Sequence, residues 1–255
     1  MKISIITICY NNQSDIRATI ESVINQTYQN IEYIIKDGGS TDGTMTIVNE
    51  YKNCISQVIS CPDNGIYDAI NQGIQAATGD VVGLIHAGDQ LHDENVIAKI
   101  AAHFEKNNID VSYGQSKIVN QAGKIVRINH SPSYNPFYMK LGWAPSHPGI
   151  YAKKSVFEKI GYYDLFIGYA ADYQWMVRCF YKNSNNLKIE RLNEYILRFF
   201  LGGESTTDYK KILGKKQKEA LAECWTSNGI KAPMGIAYRK WLWKLTQFFW
   251  TLILR

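Results

Sequence analysis

The stretch that decides the fold is IIKDGGSTDGT, at residues 34–44. An apolar, strand-like run ends in Asp37, two glycines follow, and hydroxyl side chains that can cap a helix come next. Open α/β sheets bind ligands at the carboxyl ends of their strands, and glycine lets the backbone approach a ligand closely. Asp37 and Gly38 are therefore predicted ligand contacts. The alternative for Asp37 is a turn or capping role.

Length and composition predict a folded domain. The chain has 255 residues, 45% hydrophobic and 20% charged, which are ordinary values for a globular protein. A net charge of +5 fits an anionic ligand or an anionic membrane surface, and we expect no nucleic-acid partner. The five scattered cysteines predict reduced thiols rather than a zinc site. The start of the chain lacks the pattern of a secretory signal, so we expect a cytoplasmic protein.

The first 110 residues alternate short apolar runs with amphipathic stretches. We predict strands over 3–9, 31–36, 55–60 and 81–85, and helices over 14–26, 43–51, 66–77 and 94–104. This alternation predicts parallel β-α-β units. Beyond them we expect a hairpin (111–119, 124–129), an irregular segment (130–146), strands (149–152, 187–200) and helices (154–160, 172–181, 209–227, 234–254).

Polar and small residues follow the first and third predicted strands as well. At the end of the first strand and just after it, the candidates for contact with a nucleotide base or ribose are Thr7, Cys9, Tyr10 and Asn11. Asn11 has an equal claim to be a turn residue. After the third strand, the candidates are Asp63, Gly65, Asp68 and Asn71. Asp68 and Asn71 are three apart on one helix face, whereas Asp63 has a turn or capping role as its alternative.

The fourth predicted strand ends in LIHAGD, at residues 84–89. His86, Ala87 and Gly88 are candidates for contact with a bound nucleotide, and Asp89 is the candidate ligand of Mn²⁺ or Mg²⁺. These cations take oxygen ligands, a few from protein and others from substrate phosphates. A turn carboxylate exposed to solvent is the alternative for Asp89.

The chain resembles an inverting family 2 glycosyltransferase of the GT-A fold, of the kind found in bacterial capsule, O-antigen and exopolysaccharide synthesis. The matching segments are residues 3–12, 37–44, 63–73 with 78–80, 85–89 and 170–173, in the family's order. The resemblance implies an α/β fold, with a Rossmann-like nucleotide-binding mixed sheet flanked by helices over residues 1–207. It divides into a nucleotide-sugar-binding half (1–110) and an acceptor-binding half (111–207), followed by a C-terminal helical extension (208–255).

The resemblance also implies roles for single residues. UDP is the expected nucleotide, because an acid at the position of Asp37 recognises uracil in the family. Gly38 and Gly88 stand where relatives often have a second acid, which leaves Asp89 as the retained metal ligand. Asp172 matches the general base that takes the acceptor proton; its alternative is an ordinary acid at a helix start.

Several further side chains are candidates for phosphate or acceptor contact. His147 matches a histidine often present in the family, and Trp143 has the ring that stacks on sugars. Arg178 and Arg198 carry charges suited to phosphate, and Ser205 lies in a GGES segment that resembles a loop closing on the diphosphate. The alternatives are a structural histidine, a core tryptophan and arginines that pair with acids.

The last predicted helix mixes aromatic and basic residues. Charges interrupt it too early for a membrane span of roughly 20 apolar residues, but tryptophan with lysine and arginine suits a helix lying on an anionic leaflet. We therefore expect peripheral contact with the cytoplasmic membrane, with packing on another subunit as the alternative. An acceptor carried on a polyprenyl diphosphate, or an oligosaccharide, would fit this placement.

Two other functions compete with transfer of a sugar. A nucleotidyltransferase needs a basic, glycine-rich loop after its first strand, whereas this chain has no lysine or arginine there before Arg17. A binding or scaffold protein that has lost catalysis is the non-enzyme alternative, and Gly88 in place of an acid keeps it open.

Overall fold

The computed structural model describes residues 1–120, 122–200 and 214–253. Its strands are β1 (Ile3–Cys9), β2 (Ile31–Asp37), β3 (Gln57–Ser60), β4 (Val81–His86), β5 (Gln90–Leu91), β6 (Val111–Val119), β7 (Ile125–Asn129), β8 (Ile150–Lys153) and β9 (Ile189–Phe200). Its helices are α1 (Ile16–Ile24), α2 (Thr44–Glu50), α3 (Ile66–Ala76), α4 (Val96–Asn107), α5 (Phe137–Lys140), α6 (Lys154–Ile160), α7 (Ala171–Val177), α8 (Lys215–Thr226) and α9 (Ile236–Ile253).

These strands form a mixed sheet in the order β3-β2-β1-β4-β8-β6-β9-β5, with β7 paired to β6. The four strands of the first half are parallel, as predicted. Their register sets Cys9 beside Asp37, Asp37 beside Ser60 and Ile8 beside His86. The carboxyl ends of β1 to β4 therefore meet at one edge of the sheet.

The second half of the sheet is mainly antiparallel. β8 pairs antiparallel with β4 and β6, while β9 runs parallel to β6 and antiparallel to β5. The two-residue strand β5 was not predicted, because it is too short to carry a periodic pattern. It follows Asp89 directly and pairs Gln90 with Arg198. The end of β9 therefore lies next to the loop that carries Asp89.

Hydrophobic side chains cover both faces of the sheet. Alternate residues of a strand point to opposite faces: Ile6 and Ile34 pack with residues of α3, α6 and α7, whereas Ile5 and Ile35 pack with residues of α1, α2 and α4. The predicted mixed α/β sheet flanked by helices is thus confirmed. The division at residues 110 and 207 stays a prediction.

Two C-terminal helices are present, as predicted, although residues 209–213 of the first lie outside the described residues. α9 packs against Gly142, where an added Cβ atom would overlap the main-chain nitrogen of Lys240. At that glycine φ is +93°, a second reason for the absence of a side chain. Across residues 1–120, 122–200 and 214–253, we find no helix with both the length and the apolar character needed to cross a membrane.

Candidate active site

Asp37 lies at the centre of a closely hydrogen-bonded corner. Its side chain is fully buried, and its carboxylate accepts hydrogen bonds from the main chains of Gly39 and Ser40 and from the hydroxyls of Ser40 and Ser60 (2.8 Å for Ser60). Although burial alone would raise its pKa, these hydrogen bonds lower the pKa below its usual value. Asp37 is thus an ionised carboxylate that fixes the loop after β2, and its contact with a base stays a prediction.

Lys36 stabilises the same corner, although it was not among the site residues predicted from the sequence. Its side chain is fully buried, and its ammonium group donates to the carbonyls of Asp37 and Cys61 and to the carboxylate of Asp63, each at 2.8 Å. The ion pair joins the end of β2 to the loop after β3. A lysine directly after Ile34 and Ile35 in a buried strand was the available signal, since buried lysines are nearly always paired.

Tyr10 and Asn11 lie at the rim of the corner. Tyr10 is 61% exposed and packs beside Gly38, where an added Cβ would lie 3.3 Å from the Tyr10 ring and 3.0 Å from the Asp63 carboxylate. Asn11 has φ near +50° and accepts a hydrogen bond from the main chain of Thr41 at 2.9 Å. The exposed Tyr10 ring leaves a surface on which a base can lie. A second acid at position 38 would be crowded against Asp63.

The side chains of Thr7 and Cys9 do not reach this surface, which corrects their prediction as side-chain ligands. The Thr7 hydroxyl is fully buried and bonds the Tyr33 hydroxyl at 3.0 Å. Cys9 is 2% exposed, and burial, with the Asp37 charge nearby, raises the pKa of its thiol to about 12. Because both residues have odd positions in β1, both point to the core face under α1 and α4.

The start of α3 is held by its own side chains. Asp68 accepts from the main chain of Asn64 at 2.9 Å, and this hydrogen bond lowers its pKa. Gly65, with φ of +106°, faces open space. Asn71 donates to the Tyr163 carbonyl at 2.8 Å and accepts from its N–H at 3.0 Å. Asn71 therefore joins α3 to the segment before α7, which corrects its prediction as a nucleotide ligand.

Asp89 is a buried carboxylate at the carboxyl end of β4. It is 8% exposed, and none of the described lysines, arginines or histidines lies within ion-pair distance. Burial raises the pKa of its carboxyl well above the usual range, and a main-chain hydrogen bond from Phe200 offsets this only in part. The alternative of a carboxylate exposed to solvent is therefore wrong.

The surroundings of Asp89 fit a divalent cation that shares its ligands with phosphate. A carboxylate without a compensating charge is a good oxygen ligand for Mn²⁺ or Mg²⁺. The described residues contain no cluster of three or more His, Cys, Asp or Glu side chains able to hold a metal. Gly88 has φ of +100°, and an added Cβ would meet only Asp15, at 3.9 Å. Space for a second acid exists there, but the backbone conformation disfavours any side chain.

A chain of rings runs from the end of β4 toward α7. His86 stacks on His147 with ring centroids 5.8 Å apart, and His147 Nε2 lies 2.8 Å from the Tyr163 hydroxyl. Tyr163 in turn stacks on Tyr67 at 5.8 Å. Burial lowers the pKa of both histidines, that of His86 to about 3, so both rings are neutral at pH 7. His147 thus lies between the end of β4 and the segment before α7, and its contact with donor phosphate or acceptor stays a prediction.

Asp172 lies at the other end of this chain of rings. Its Oδ1 accepts from the Tyr67 hydroxyl at 3.2 Å and from the main chain of Tyr173 at 2.7 Å. Burial and the negative charge of Asp172 raise the pKa of Tyr67, which keeps that hydroxyl protonated as a donor. Oδ2 accepts no hydrogen bond from the described residues. The carboxylate is therefore oriented on one side and available on the other.

The remaining predicted contacts have different outcomes. Trp143 is 1% exposed and packs on Tyr113 and Phe180, so its prediction as a sugar-stacking ring is wrong and its core alternative is right. Arg178 donates to the Tyr162 carbonyl at 2.5 Å, behind the segment that precedes α7. This corrects its assignment as a phosphate ligand.

Arg198 and Ser205 complete the predicted set. Arg198 is exposed on β9 and lies 3.3 Å from His92, close to the strand that follows Asp89. Its role in phosphate contact stays a prediction. Ser205 lies outside the described residues. The main chain of Ala87 bonds the Ile8 carbonyl at 3.1 Å, which fixes the β4 loop beside the end of β1.

Comparison with known proteins identifies this arrangement. The family described as Glycosyl transferase family 2 matches residues 4–166. An uncharacterised glycosyltransferase of Mycobacterium tuberculosis (strain H37Rv) is 31% identical over 182 residues, which cover 69% of this chain and 68% of the relative.

Solved structures show the same fold. Staphylococcus aureus TarS (residues 1–349, in complex with UDP-GlcNAc) superposes with a TM-score of 0.70 at 18% identity, covering 98% of this chain and 73% of that one. The mannosyltransferase PcManGT of Pyrobaculum calidifontis, in complex with GDP-Man and Mn²⁺, superposes with a TM-score of 0.63 at 15% identity, covering 99% and 74%. The nucleotidyltransferase alternative is thereby set aside. The chain belongs to the family 2 glycosyltransferases, and it is a glycosyltransferase enzyme.

Proposed function

We propose that this enzyme transfers one sugar, with inversion, from a UDP-sugar to a lipid-linked or oligosaccharide acceptor in the synthesis of a bacterial surface polysaccharide. The observation that carries the proposal is the chain of rings from His86 to Asp172. It joins the strand end that carries Asp89 to the helix that carries an available carboxylate. In this proposal the leaving diphosphate lies at the Asp89 end of the chain of rings and the acceptor hydroxyl at the Asp172 end.

The reaction needs a group that accepts the hydroxyl proton and a group that stabilises the negative charge of the departing nucleoside diphosphate. The acceptor oxygen forms a bond to the anomeric carbon while the bond from that carbon to the phosphate oxygen breaks. Asp172 takes the hydroxyl proton through Oδ2, and the nucleoside diphosphate keeps the electron pair of the broken bond. Tyr67 holds Oδ1 and so limits rotation of the carboxylate.

Asp89 would hold Mn²⁺ or Mg²⁺ together with oxygens of the donor phosphates. When bound, the cation supplies positive charge to the departing diphosphate. The complex of PcManGT with Mn²⁺ supports this assignment by similarity of fold. The buried Asp89 carboxylate supports it from this chain's own residues, because a bound cation would compensate its charge.

The nucleotide is proposed to lie in the corner formed by Tyr10, Gly38 and Asp63. UDP is favoured by the complex of TarS with UDP-GlcNAc and by the acid at position 37, whereas PcManGT binds GDP-Man. A thermal-shift panel of UDP-GlcNAc, UDP-glucose and GDP-mannose, each with and without Mn²⁺, tests the choice. We expect the largest shift with a UDP-sugar and Mn²⁺; a shift with GDP-mannose alone would contradict UDP.

Turnover separates the proposal from a binding protein. Release of UDP from the stabilising UDP-sugar, in the presence of Mn²⁺, is the expected result. Binding of the UDP-sugar without any release of UDP would support a catalytically impaired protein instead.

We also propose that α9 rests on the cytoplasmic face of an anionic membrane. Five apolar residues lie along one exposed side of this helix, spaced by three or four positions: Tyr238, Leu242, Leu245, Phe249 and Ile253. Such a row forms one face of a helix. Exposed lysines on the neighbouring α8 and the net charge of +5 favour an anionic leaflet. Sedimentation with vesicles of phosphatidylglycerol, but not with vesicles of phosphatidylcholine alone, would support this placement.

A further inference from the structure

The side-chain amide of Asn71 holds the main chain of one distant residue at two points. Its Nδ2 donates to the Tyr163 carbonyl at 2.8 Å, and its Oδ1 accepts from the Tyr163 N–H at 3.0 Å. A residue that both donates to and accepts from its partner is the pattern of paired strands, and it fixes the orientation of the main chain as well as its position. Asn71 therefore fixes the segment 161–163, which lies between α6 and α7, against α3.

The same segment is also held from α7. The Trp175 Nε1 donates to the Gly161 carbonyl at 3.0 Å, and the guanidinium of Arg178, directly after α7, donates to the Tyr162 carbonyl at 2.5 Å. The carbonyls of three consecutive residues thus accept hydrogen bonds from side chains, one on α3 and two on or directly after α7. Residues 161–163 therefore connect the two helices, and we call them the bridging segment.

α3 contacts α7 directly as well. Tyr67 lies four positions before Asn71, so the two side chains share one face of α3. The Tyr67 hydroxyl lies 3.0 Å from the Tyr169 carbonyl and 3.2 Å from Asp172 Oδ1. Within α7, Asp172 and Trp175 are three positions apart and are likewise neighbours. One face of α3 therefore holds the start of α7 directly through Tyr67 and indirectly through the bridging segment.

The bridging segment is well packed where Asn71 holds it. Tyr163 is 5% exposed, and its ring stacks on Tyr67 at 5.8 Å and on Trp175 at 5.6 Å. A buried main-chain N–H or carbonyl that loses its partner is costly. Loss of the Asn71 amide should therefore shift the segment, and α7 with it, toward new partners.

The other end of this connection is the proposed nucleotide corner. α3 begins directly after Gly65, whose N–H donates to the Asp63 carboxylate at 3.0 Å, and Asp63 pairs with the buried Lys36. The helix that holds the proposed base thus starts where the nucleotide is proposed to lie. A single element therefore determines the distance between the two.

We propose that Asn71 is a positioning residue for Asp172. It acts through the bridging segment and α7, and not through contact with a substrate. The proposal rests on the proposed transfer with Asp172 as base. Its consequence is that loss of the Asn71 amide affects the chemical step and leaves donor binding intact.

Asn71→Leu tests this role, because it removes both hydrogen bonds and keeps a side chain of similar size. The assay is UDP release, with Mn²⁺, from the UDP-sugar that gives the largest thermal shift. We expect kcat to fall roughly 10- to 100-fold, since misplacement of a catalytic group by about 1 Å can cost ~100-fold. KM for the UDP-sugar should be unchanged. The matched control is Gln75→Leu, one turn further along α3 at an exposed position, which should behave as the wild type.

A double-mutant cycle with Asp172→Asn separates positioning from general support of the fold. Where no base remains to be positioned, Asn71→Leu should change UDP release by less than about 2-fold, because the two residues act as one unit. Should Asn71→Leu not fold, as judged by urea titration, Asn71→Asp takes its place. It keeps the acceptor for the Tyr163 N–H and replaces only the donor, and the same cycle is expected.

Three results would overturn the positioning role: an unchanged kcat, a raised KM with kcat unchanged, or the same fold-loss in the Asp172→Asn background as in the wild type. Failure of the proposed function has a different signature. UDP release undiminished in Asp172→Asn alone would remove Asp172 as base, and the positioning role with it.

Discussion

Two regions of the proposed active site are built in opposite ways. The base corner, formed by Lys36, Asp37 and Asp63 with the loops that they join, satisfies its charges internally. The proposed catalytic wall runs from Asp89 through His86 to Asp172. Among the described residues, its Asp89 carboxyl has no countercharge, one imidazole nitrogen of His86 has no partner, and one oxygen of Asp172 accepts no hydrogen bond.

The difference indicates which region of the proposed active site bound substrates would stabilise. A corner that is complete without a ligand holds its shape and can select by shape. A wall with uncompensated charge gains stability when a cation, a phosphate or an acceptor is bound. Substitutions in the corner should therefore affect folding first, and substitutions in the wall should affect turnover first.

The largest effect on turnover is expected for Asp172→Asn. The amide keeps the size of the side chain but cannot take the acceptor proton, and general-base catalysis contributes ~10²–10⁴-fold. UDP release should fall by that factor, while the thermal shift with the UDP-sugar should be unchanged. The matched control is Asp164→Asn, because Asp164 caps the preceding turn by accepting from Phe166 and lies outside the proposed chemistry. Loss of donor binding in Asp172→Asn would contradict the assignment.

The largest effect on stability is expected for Lys36→Met. It leaves Asp63 without its buried partner, and breaking such a pair costs about 3–5 kcal/mol. The free energy of unfolding from a urea titration measures it. The double variant Lys36→Met/Asp63→Asn should recover part of that loss, since no unpaired charge remains. A cost below about 1 kcal/mol, the range of exposed ion pairs, would contradict a self-contained corner.

Asp89→Asn should have the opposite effect on stability. Because the folded pKa of this carboxyl is raised, the folded state holds its proton more tightly than the unfolded state does. Stability of the wild type is therefore lost as pH rises above the usual value of an aspartate, through the raised folded value. At pH 7 without metal, the free energy of unfolding of the variant, measured by urea titration, should therefore exceed that of the wild type.

Metal binding provides a second comparison of the wild type with Asp89→Asn. Mn²⁺ with a UDP-sugar should raise the melting temperature of the wild type and leave that of Asp89→Asn unchanged. Equal stabilisation of both proteins by Mn²⁺ would place the cation elsewhere.

A smaller effect is expected for Tyr67→Phe, which removes the hydroxyl that lies 3.2 Å from Asp172 Oδ1 and 3.0 Å from the Tyr169 carbonyl. The loss of this hydroxyl should cost about 0.5–1.5 kcal/mol, and kcat should fall roughly 2- to 13-fold, the factor equivalent to that energy. KM for the UDP-sugar should stay the same. A fall in donor affinity instead of kcat would make Tyr67 a ligand of the donor rather than a positioning residue for the base.

Local sequence pattern identified the strand ends well and the cross-chain contacts poorly. The parallel strands and the placement of Asp37, Asp63 and Asp89 follow from apolar runs that end in acids and glycines. Tyr67 could not be connected to Asp172 in this way, because the two residues are 105 positions apart and each fits its own helix.

Some side chains gave a misleading signal for the same reason. Trp143 lies in an irregular segment that resembles a sugar-binding loop, yet Tyr113 and Phe180, which bury it, come from distant elements. Asn71 has the residue type of a ligand, but its amide donates to and accepts from the main chain of Tyr163. Only long-range packing decides such cases.

The stereochemistry of the first product tests the central claim most directly. The substrate is a UDP-sugar in which the sugar is α-linked to UDP. In the presence of Mn²⁺, proton NMR can follow this sugar as it is transferred or hydrolysed. If Asp172 activates the nucleophile and attack occurs on the face opposite the diphosphate, the first product of the wild type has the β configuration. Formation of this product should be strongly reduced in Asp172→Asn. An α-configured first product, or an undiminished rate in Asp172→Asn, would contradict an inverting transfer with Asp172 as base.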